Sequence, residues 1–408
     1  MKKIFFLLMF IFALKASAIE KVELGVDVFF ASDASIKLKD KKIALFINQT
    51  SVNKDLKSTF DLFLENAKDF KTTKIFTPEH GLNGAFYAGE NVDNSKREDI
   101  EVLSLHGKYK RPSKEMLKDV NVIICDIQEI GCRSYTYATT LFYIMEEAAK
   151  NDIEVIIFDR PNPINGIICD GPMLDEEYRS FLGYVNVPYC HGMTIGELAL
   201  YFNSEYKTNC KLEVISMKGW KREMSFEDTE LNWIPTSPNI PEASTAAFYA
   251  TTGILGELKL VNIGVGYTLP FKIVGAPWIE GEKFCKSLNA QNLVGVKFIP
   301  YFFKPFYGPY KDKNCQGVKI LITDKLKYRP SACGYLILGM LKSLYPKMIK
   351  DKLKSLSEEK ILTFCKVNGN KEIYNFLVNE QYPAWKMIEF QADKVKEFQN
   401  IKKKYLLY

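Results

Sequence analysis

Glu79 and His80 adjoin in Thr77-Pro-Glu-His-Gly81, Asp126 and Glu129 share Asp126-Ile-Gln-Glu129, and Asp159 precedes Arg160 in Asp159-Arg-Pro-Asn-Pro163. Glycosidic cleavage needs two carboxyl groups, one to protonate the leaving oxygen and one to activate or replace the nucleophile. Glu79, Asp126, Glu129 and Asp159 can include that pair, with the His80 imidazole beside Glu79. Arg133 and Arg160 offer planar forks for a ligand carboxylate or phosphate, and equally for an internal Asp. Tyr135, Tyr137, Trp233 and Trp278 supply flat faces of the kind that stack on sugar rings.

Other chemistries lack their signatures. The three histidines, His80, His106 and His191, form neither H-x-x-x-H nor H-E-x-x-H, so no metal site is expected. There is no G-x-S-x-G elbow for a serine nucleophile. The first strand-like run is followed by Asn48-Gln49-Thr50 with no glycine, and no Walker A sequence occurs. A pyrophosphate therefore has no glycine turn to approach, and no cofactor is expected. Gly264-Val265-Gly266 reads as a turn.

These residues need a frame that brings them together. Ile43 to Ile47, Lys74 to Phe76, Val120 to Cys125 and Val155 to Phe158 are short β-branched apolar runs. Apolar helical stripes lie between them at Phe60, Leu62, Phe63 and Ala67, and at Tyr137, Leu141, Met145 and Ala148. That alternation predicts a Rossmann-like parallel sheet with crossover helices. Ligands in such α/β sheets bind beyond the carboxyl ends of the strands, where Asn48, Glu79, Asp126, Gln128, Glu129 and Asp159 all fall. After residue 210 the pattern turns to mixed strands, aromatic loops and late helices, a smaller α+β auxiliary domain. Its loops Trp233 to Pro241 and Gly264 to Trp278 are expected to close over that edge.

The chain has 408 residues, 47% hydrophobic and 25% charged, which excludes a disordered chain and suggests about two or three domains. Lys2 and Lys3, the apolar run Ile4 to Leu14 and Ala16-Ser-Ala18 read as a cleaved signal peptide, residues 1–18. The expected organisation is then 19–209 for the Rossmann-like domain and 210–408 for the auxiliary one, in a periplasmic or secreted protein without membrane insertion. Losing the leader lowers the formal charge from +6 to +3, so nucleic acid is not an expected partner. The nine cysteines contain no C-x-x-C pair. One or two disulfides are compatible with export, and the sequence does not name them.

Together the motifs carry a resemblance. They are Phe76-Thr-Pro-Glu-His-Gly81 with Ala88-Gly-Glu90, Ser104-Leu-His-Gly107, Asp126-Ile-Gln-Glu-Ile-Gly-Cys-Arg-Ser-Tyr-Thr-Tyr137, Asp159-Arg-Pro-Asn-Pro163, His191-Gly-Met-Thr-Ile-Gly-Glu-Leu198, Ser237-Pro-Asn239 and Gly275-Ala-Pro-Trp278. In this order, from about residue 40 to the C-terminus, the set resembles the exo-β-N-acetylmuramidase (NamZ-like) family, formerly a domain of unknown function. The resemblance implies a glycoside hydrolase that releases β-linked N-acetylmuramic acid from the non-reducing end of peptidoglycan fragments in cell-wall turnover. It implies a Rossmann-like domain plus an auxiliary domain with the active site in the cleft between them, and its favoured catalytic glutamate maps onto Glu79, the expected general acid/base, for which Asp126 or Glu129 is the expected partner.

The remaining polar and aromatic motif residues, Asn48, Gln128, Tyr135, Tyr137, Asp159, His191, Asn239 and Trp278, are then the expected substrate contacts. Arg133 or Arg160 would clamp the lactyl carboxylate of the sugar. Two departures bear on specificity. Where many members read Ser-Glu-Gly-Arg-Gly-Thr-Thr, this chain reads Asn262-Ile-Gly-Val-Gly-Tyr-Thr268, and the family's second acid in Asp-Ile-Gln-Asp is here Glu129. Two rival readings differ in class: an amidase or esterase using Cys190 with His191 or a metal, and a muropeptide-binding protein that captures sugar without cleaving it.

Overall fold

A computed structural model describes residues 21–408. The expected signal peptide lies outside the described residues. The chain runs through α1 (Gly25–Phe30), β1 (Lys42–Ile47), α2 (Thr59–Glu65), β2 (Lys71–Thr77), β3 (Ser95–Arg97), β4 (Ile100–Ser104), β5 (Val122–Asp126), α3 (Thr136–Lys150), β6 (Glu154–Phe158), α4 (Ile195–Glu205) and β7 (Lys211–Ile215). These strands form one sheet in the order β3-β4-β2-β1-β5-β6-β7. All its pairings are parallel except the edge pair β3 with β4.

Alternation along the strands explains why they read as continuous apolar runs. Ala44, Phe46, Phe76, Ile123, Cys125, Val155 and Ile157 face one core with α3 and α4. Ile43, Leu45, Ile47, Ile75, Val122, Ile124, Ile156 and Phe158 face the other, against Phe29, Phe60 and Phe63. A parallel sheet covered on both sides has no polar face to show.

The four expected strands are present. β3, β4 and β7 are not among them; in β4, Glu101 interrupts a short apolar stretch. β7 pairs with β6, so the expected boundary between residues 209 and 210 cuts through this sheet. The second lobe opens instead with α5 (Thr245–Glu257), followed by β8 (Ile273–Ala276), α6 (Gly281–Asn289), β9 (Val296–Phe303), β10 (Cys315–Ile322), α7 (Pro330–Leu344) and further helices to the end. Its three strands pair antiparallel in the order β8-β10-β9. One hydrophobic core runs through both lobes, from Ala44 and Phe46 to Leu336 and Phe398.

The chain turns back across β1, whose neighbours are β2 on one side and β5 on the other. That switch point is where an open α/β sheet usually holds its ligand. Here it is largely filled: Thr50, Gln128, Arg160 and Trp233 line a cavity of only about 20 Å³.

Candidate active site

Glu79 sits just past the end of β2, its side chain 13% exposed. Gly89 N–H donates to Oε1 at 2.9 Å, and the Thr136 hydroxyl donates to Oε2 at 2.7 Å. Gly89 can aim its N–H this way because its φ is +80°, which glycine adopts without a steric cost. Thr136 is the first residue of α3, so the carboxylate also meets the positive end of a helix dipole. His106 Nε2 lies 3.8 Å from Oε1. Burial lowers the His106 pKa below its usual 6.5, against the pull of Glu79, so the imidazole is neutral at neutral pH.

Tyr135 and Tyr137 flank Thr136 and pack edge to face, centroids 4.6 Å apart. The Tyr137 hydroxyl donates to Thr236 C=O at 2.6 Å, and Gln49 Nε2 donates to Pro235 and Thr236 carbonyls at 2.8 and 3.1 Å. The loop expected to close over the sheet edge, Trp233 to Pro241, thus does so at β1. Asn48, Tyr135 and Thr236 each bring a buried polar atom here that lacks a protein partner: Asn48 Nδ2, the Tyr135 hydroxyl and Thr236 Oγ1. The Tyr135 hydroxyl faces Thr236 and Ser237, and Tyr137 faces Asn48. Buried donors and acceptors seldom stay unpaired, so these atoms are open to a water or to a polar ligand.

Other expected site residues are tied up elsewhere. His80, expected to join the catalysis, has φ +72° and bonds Phe86 C=O through Nδ1 at 2.7 Å; it holds the loop that carries Gly89. Asp126, expected as a possible second acid, is fully buried. Arg160 Nη2 bonds its Oδ2 at 3.0 Å, Arg160 Nε bonds Oδ1, and the Thr59 hydroxyl adds another bond. Neither Asp126 nor Arg160 is free for substrate, because each neutralises the other.

Arg133 is not the expected substrate clamp either. It donates to the Pro172 and Asn368 carbonyls at 2.8 and 2.7 Å and to the Val187 carbonyl, tying the first lobe to the late helices. Arg133→Met should therefore lower stability by about 3 kcal/mol, through lost charge-assisted bonds and stranded carbonyls, while KM stays within about twofold. Chemical denaturation alongside steady-state kinetics separates this from a binding role, which would raise KM instead.

Asp159 receives Thr194 Oγ1 at 2.7 Å, Gly196 N–H at 2.8 Å and the Tyr408 hydroxyl at 2.7 Å. Burial raises its pKa to about 7 despite these donors. It anchors α4, whose N-terminus Thr194 and Glu197 close as a capping box; it is not the substrate contact expected. A Cβ at Gly196 would meet the Asp159 carboxyl carbon at 2.9 Å, which explains the small residue in Thr194-Ile-Gly-Glu197.

Trp278 donates to the Tyr310 hydroxyl at 2.9 Å and packs on Tyr345, within the second lobe. Asn239 lies on the covering loop and accepts from Tyr307 at 3.4 Å. Gln128 Nε2 bonds the Glu129 and Pro161 carbonyls at 2.9 and 2.8 Å, which leaves Oε1 unpartnered. Glu129 and His191 form a second buried group. His191 Nδ1 accepts from Met193 N–H at 3.2 Å, which turns Nε2 to Glu129 Oε2 at 3.5 Å. Glu129 Oε2 also takes Gly131 N–H, and Oε1 has no partner.

In the altered turn at 262–268, the side chain of Asn262 bonds Gly264 N–H at 2.7 Å and the Pro309 carbonyl at 3.0 Å. Gly264 and Gly266 take φ +83° and +88°, as a turn requires. Thr136, Gly89, Gln49 and Thr236 escaped the sequence reading as site residues. Thr136 stood between two tyrosines already singled out, and Gly89 inside a quoted motif. An apolar cavity of about 360 Å³ between the lobes, lined by Ile164, Phe248, Leu321 and Tyr328, does not include Glu79.

Comparison with known proteins finds matches from residue 43 to residue 408. Residues 43–244 match the model of the exo-beta-N-acetylmuramidase NamZ N-terminal region, and 247–408 that of its C-terminal region. A protein of Bacillus subtilis (strain 168) described as peptidoglycan beta-N-acetylmuramidase NamZ is 38% identical over 390 residues, which span 95% of this chain and 92% of that one. Two crystal structures of DUF1343 family proteins from Bacteroides fragilis NCTC 9343 share the fold. One has a TM-score of 0.87 at 38% identity and the other 0.74 at 28%, each covering 95% of this chain and 99% of its own.

Proposed function

The chain belongs to the exo-beta-N-acetylmuramidase NamZ family, and we infer from that premise a glycosidase that removes β-linked N-acetylmuramic acid from the non-reducing end of peptidoglycan fragments. The observation that carries this reading is Glu79: a nearly buried carboxyl with both oxygens oriented, on the edge that also carries Asn48 Nδ2 and the Tyr135 hydroxyl.

Glu79 acts as general acid/base at the glycosidic oxygen. Gly89 and Thr136 fix its carboxyl plane, which shortens the search for a reactive geometry. Asn48, Tyr135 and Thr236 meet the sugar's hydroxyl and acetamido groups. Of the two acids considered as partner, only Glu129 keeps a free oxygen, because Asp126 is saturated by Arg160 and Thr59. With both arginine forks occupied, the lactyl carboxylate falls to the side of His106, where Lys110 lies near enough to lower the imidazole pKa. Export to the periplasm or beyond, which the apolar leader supports, would bring the enzyme to this substrate.

The test uses two chromogenic glycosides, β-linked N-acetylmuramic acid and N-acetylglucosamine, which differ only in the lactyl ether. Turnover of the muramic compound alone is the expected result. Comparable turnover of both would remove the muramic specificity. Tight binding without product from folded protein would favour the binding-protein reading.

A further inference from the structure

Cys132 and Cys190 face each other across an isolated antiparallel bridge. Arg133 N–H donates to Tyr189 C=O at 2.8 Å, one residue outside the pair on each strand. That bond marks Cys132 and Cys190 as a non-hydrogen-bonded pair, the position where opposed Cα atoms approach to about 4.5 Å and side chains lie closest. A disulfide needs Cα atoms about 4.4–6.8 Å apart with Cβ atoms turned toward each other. Both residues are 1% exposed, and in this structure both are free thiols, Cys132 Sγ donating to the Ile130 carbonyl at 3.9 Å and Cys190 Sγ lying 3.8 Å from Ser331 Oγ. No other two cysteines are bridge partners among the described residues.

We propose that Cys132 and Cys190 form a disulfide that joins the segment carrying Glu129 and Tyr135 to the segment carrying His191. The oxidant is a small or protein disulfide of the glutathione or dithiol-oxidoreductase class. One cysteine thiolate attacks it and forms a mixed disulfide. The second then displaces the oxidant's thiol, so that the pair loses two electrons and two protons and the oxidant leaves as two thiols.

Burial pushes the Cys132 thiol well above its usual range, so exchange is slow in the folded protein. The bond therefore forms while the two segments dock. Once made, it closes a loop of roughly 60 residues and holds His191 Nε2 against Glu129 Oε2, which meet at 3.5 Å.

The experiment refolds the chain in a glutathione redox buffer, denatures it without reductant and alkylates every accessible thiol. Seven of the nine cysteines should be alkylated, and peptide mapping should place the cross-link between 132 and 190. Nine alkylated cysteines, or a cross-link between other residues, would overturn the proposal. In Cys190→Ala every remaining thiol should react; two still protected would place the bond elsewhere. Reduction of the wild-type chain should raise its unfolding equilibrium constant about a thousandfold.

Discussion

Glu79→Gln should fold and bind as wild type does, yet release aglycone some 10²- to 10⁴-fold more slowly. Glutamine keeps the shape of the group and can still accept the Gly89 N–H. At the other end its amide becomes a donor, to which the Thr136 hydroxyl can turn as acceptor. Stability should therefore change by less than about 1 kcal/mol.

The loss should also depend on the leaving group. A nitrophenol departs with little help, whereas an N-acetylglucosamine leaving group needs its proton, so the variant should suffer more on a natural disaccharide than on the aryl glycoside. An equal loss on both would point away from acid catalysis. Turnover near wild type on both would shift the role to Glu129, whose Oε1 has no partner.

The second large effect is on folding. Asp126→Asn should lower stability by about 3–5 kcal/mol, because it leaves the Arg160 guanidinium buried opposite a neutral amide. Arg160→Met in the same chain should recover much of that loss, since an unpaired buried charge is worse than a missing pair. Denaturant titration of the two single variants and the double variant measures the coupling. Wild-type stability with lost turnover in Asp126→Asn would instead make Asp126 a participant in the chemistry.

Local sequence pattern alone set the frame and the edge that carries the candidate site. The apolar runs at Ile43, Val120 and Val155 are strands because each is buried on both faces, and both cores demand β-branched residues. Polar residues following such runs must fall at strand ends, so Asn48, Glu79 and Asp126 could be assigned to one edge from chain order alone. The strand β4 was not legible, because a short edge-proximal strand with a charged residue has little periodicity to show.

Long-range packing separates the charges left facing the candidate site from those that hold the fold. Asp126 and Glu79 are both acids at strand ends, and nothing local distinguishes them. Arg160 is 34 positions along the chain from Asp126, and saturates it across β5 and β6. Arg133 looked like a ligand clamp until the late helices brought the Asn368 carbonyl to it, 235 residues away. The partner of a charge is a long-range contact, and burial sets whether that partner is required. Both arise when the chain closes on itself, so residue type and spacing could supply the candidates while packing chose among them.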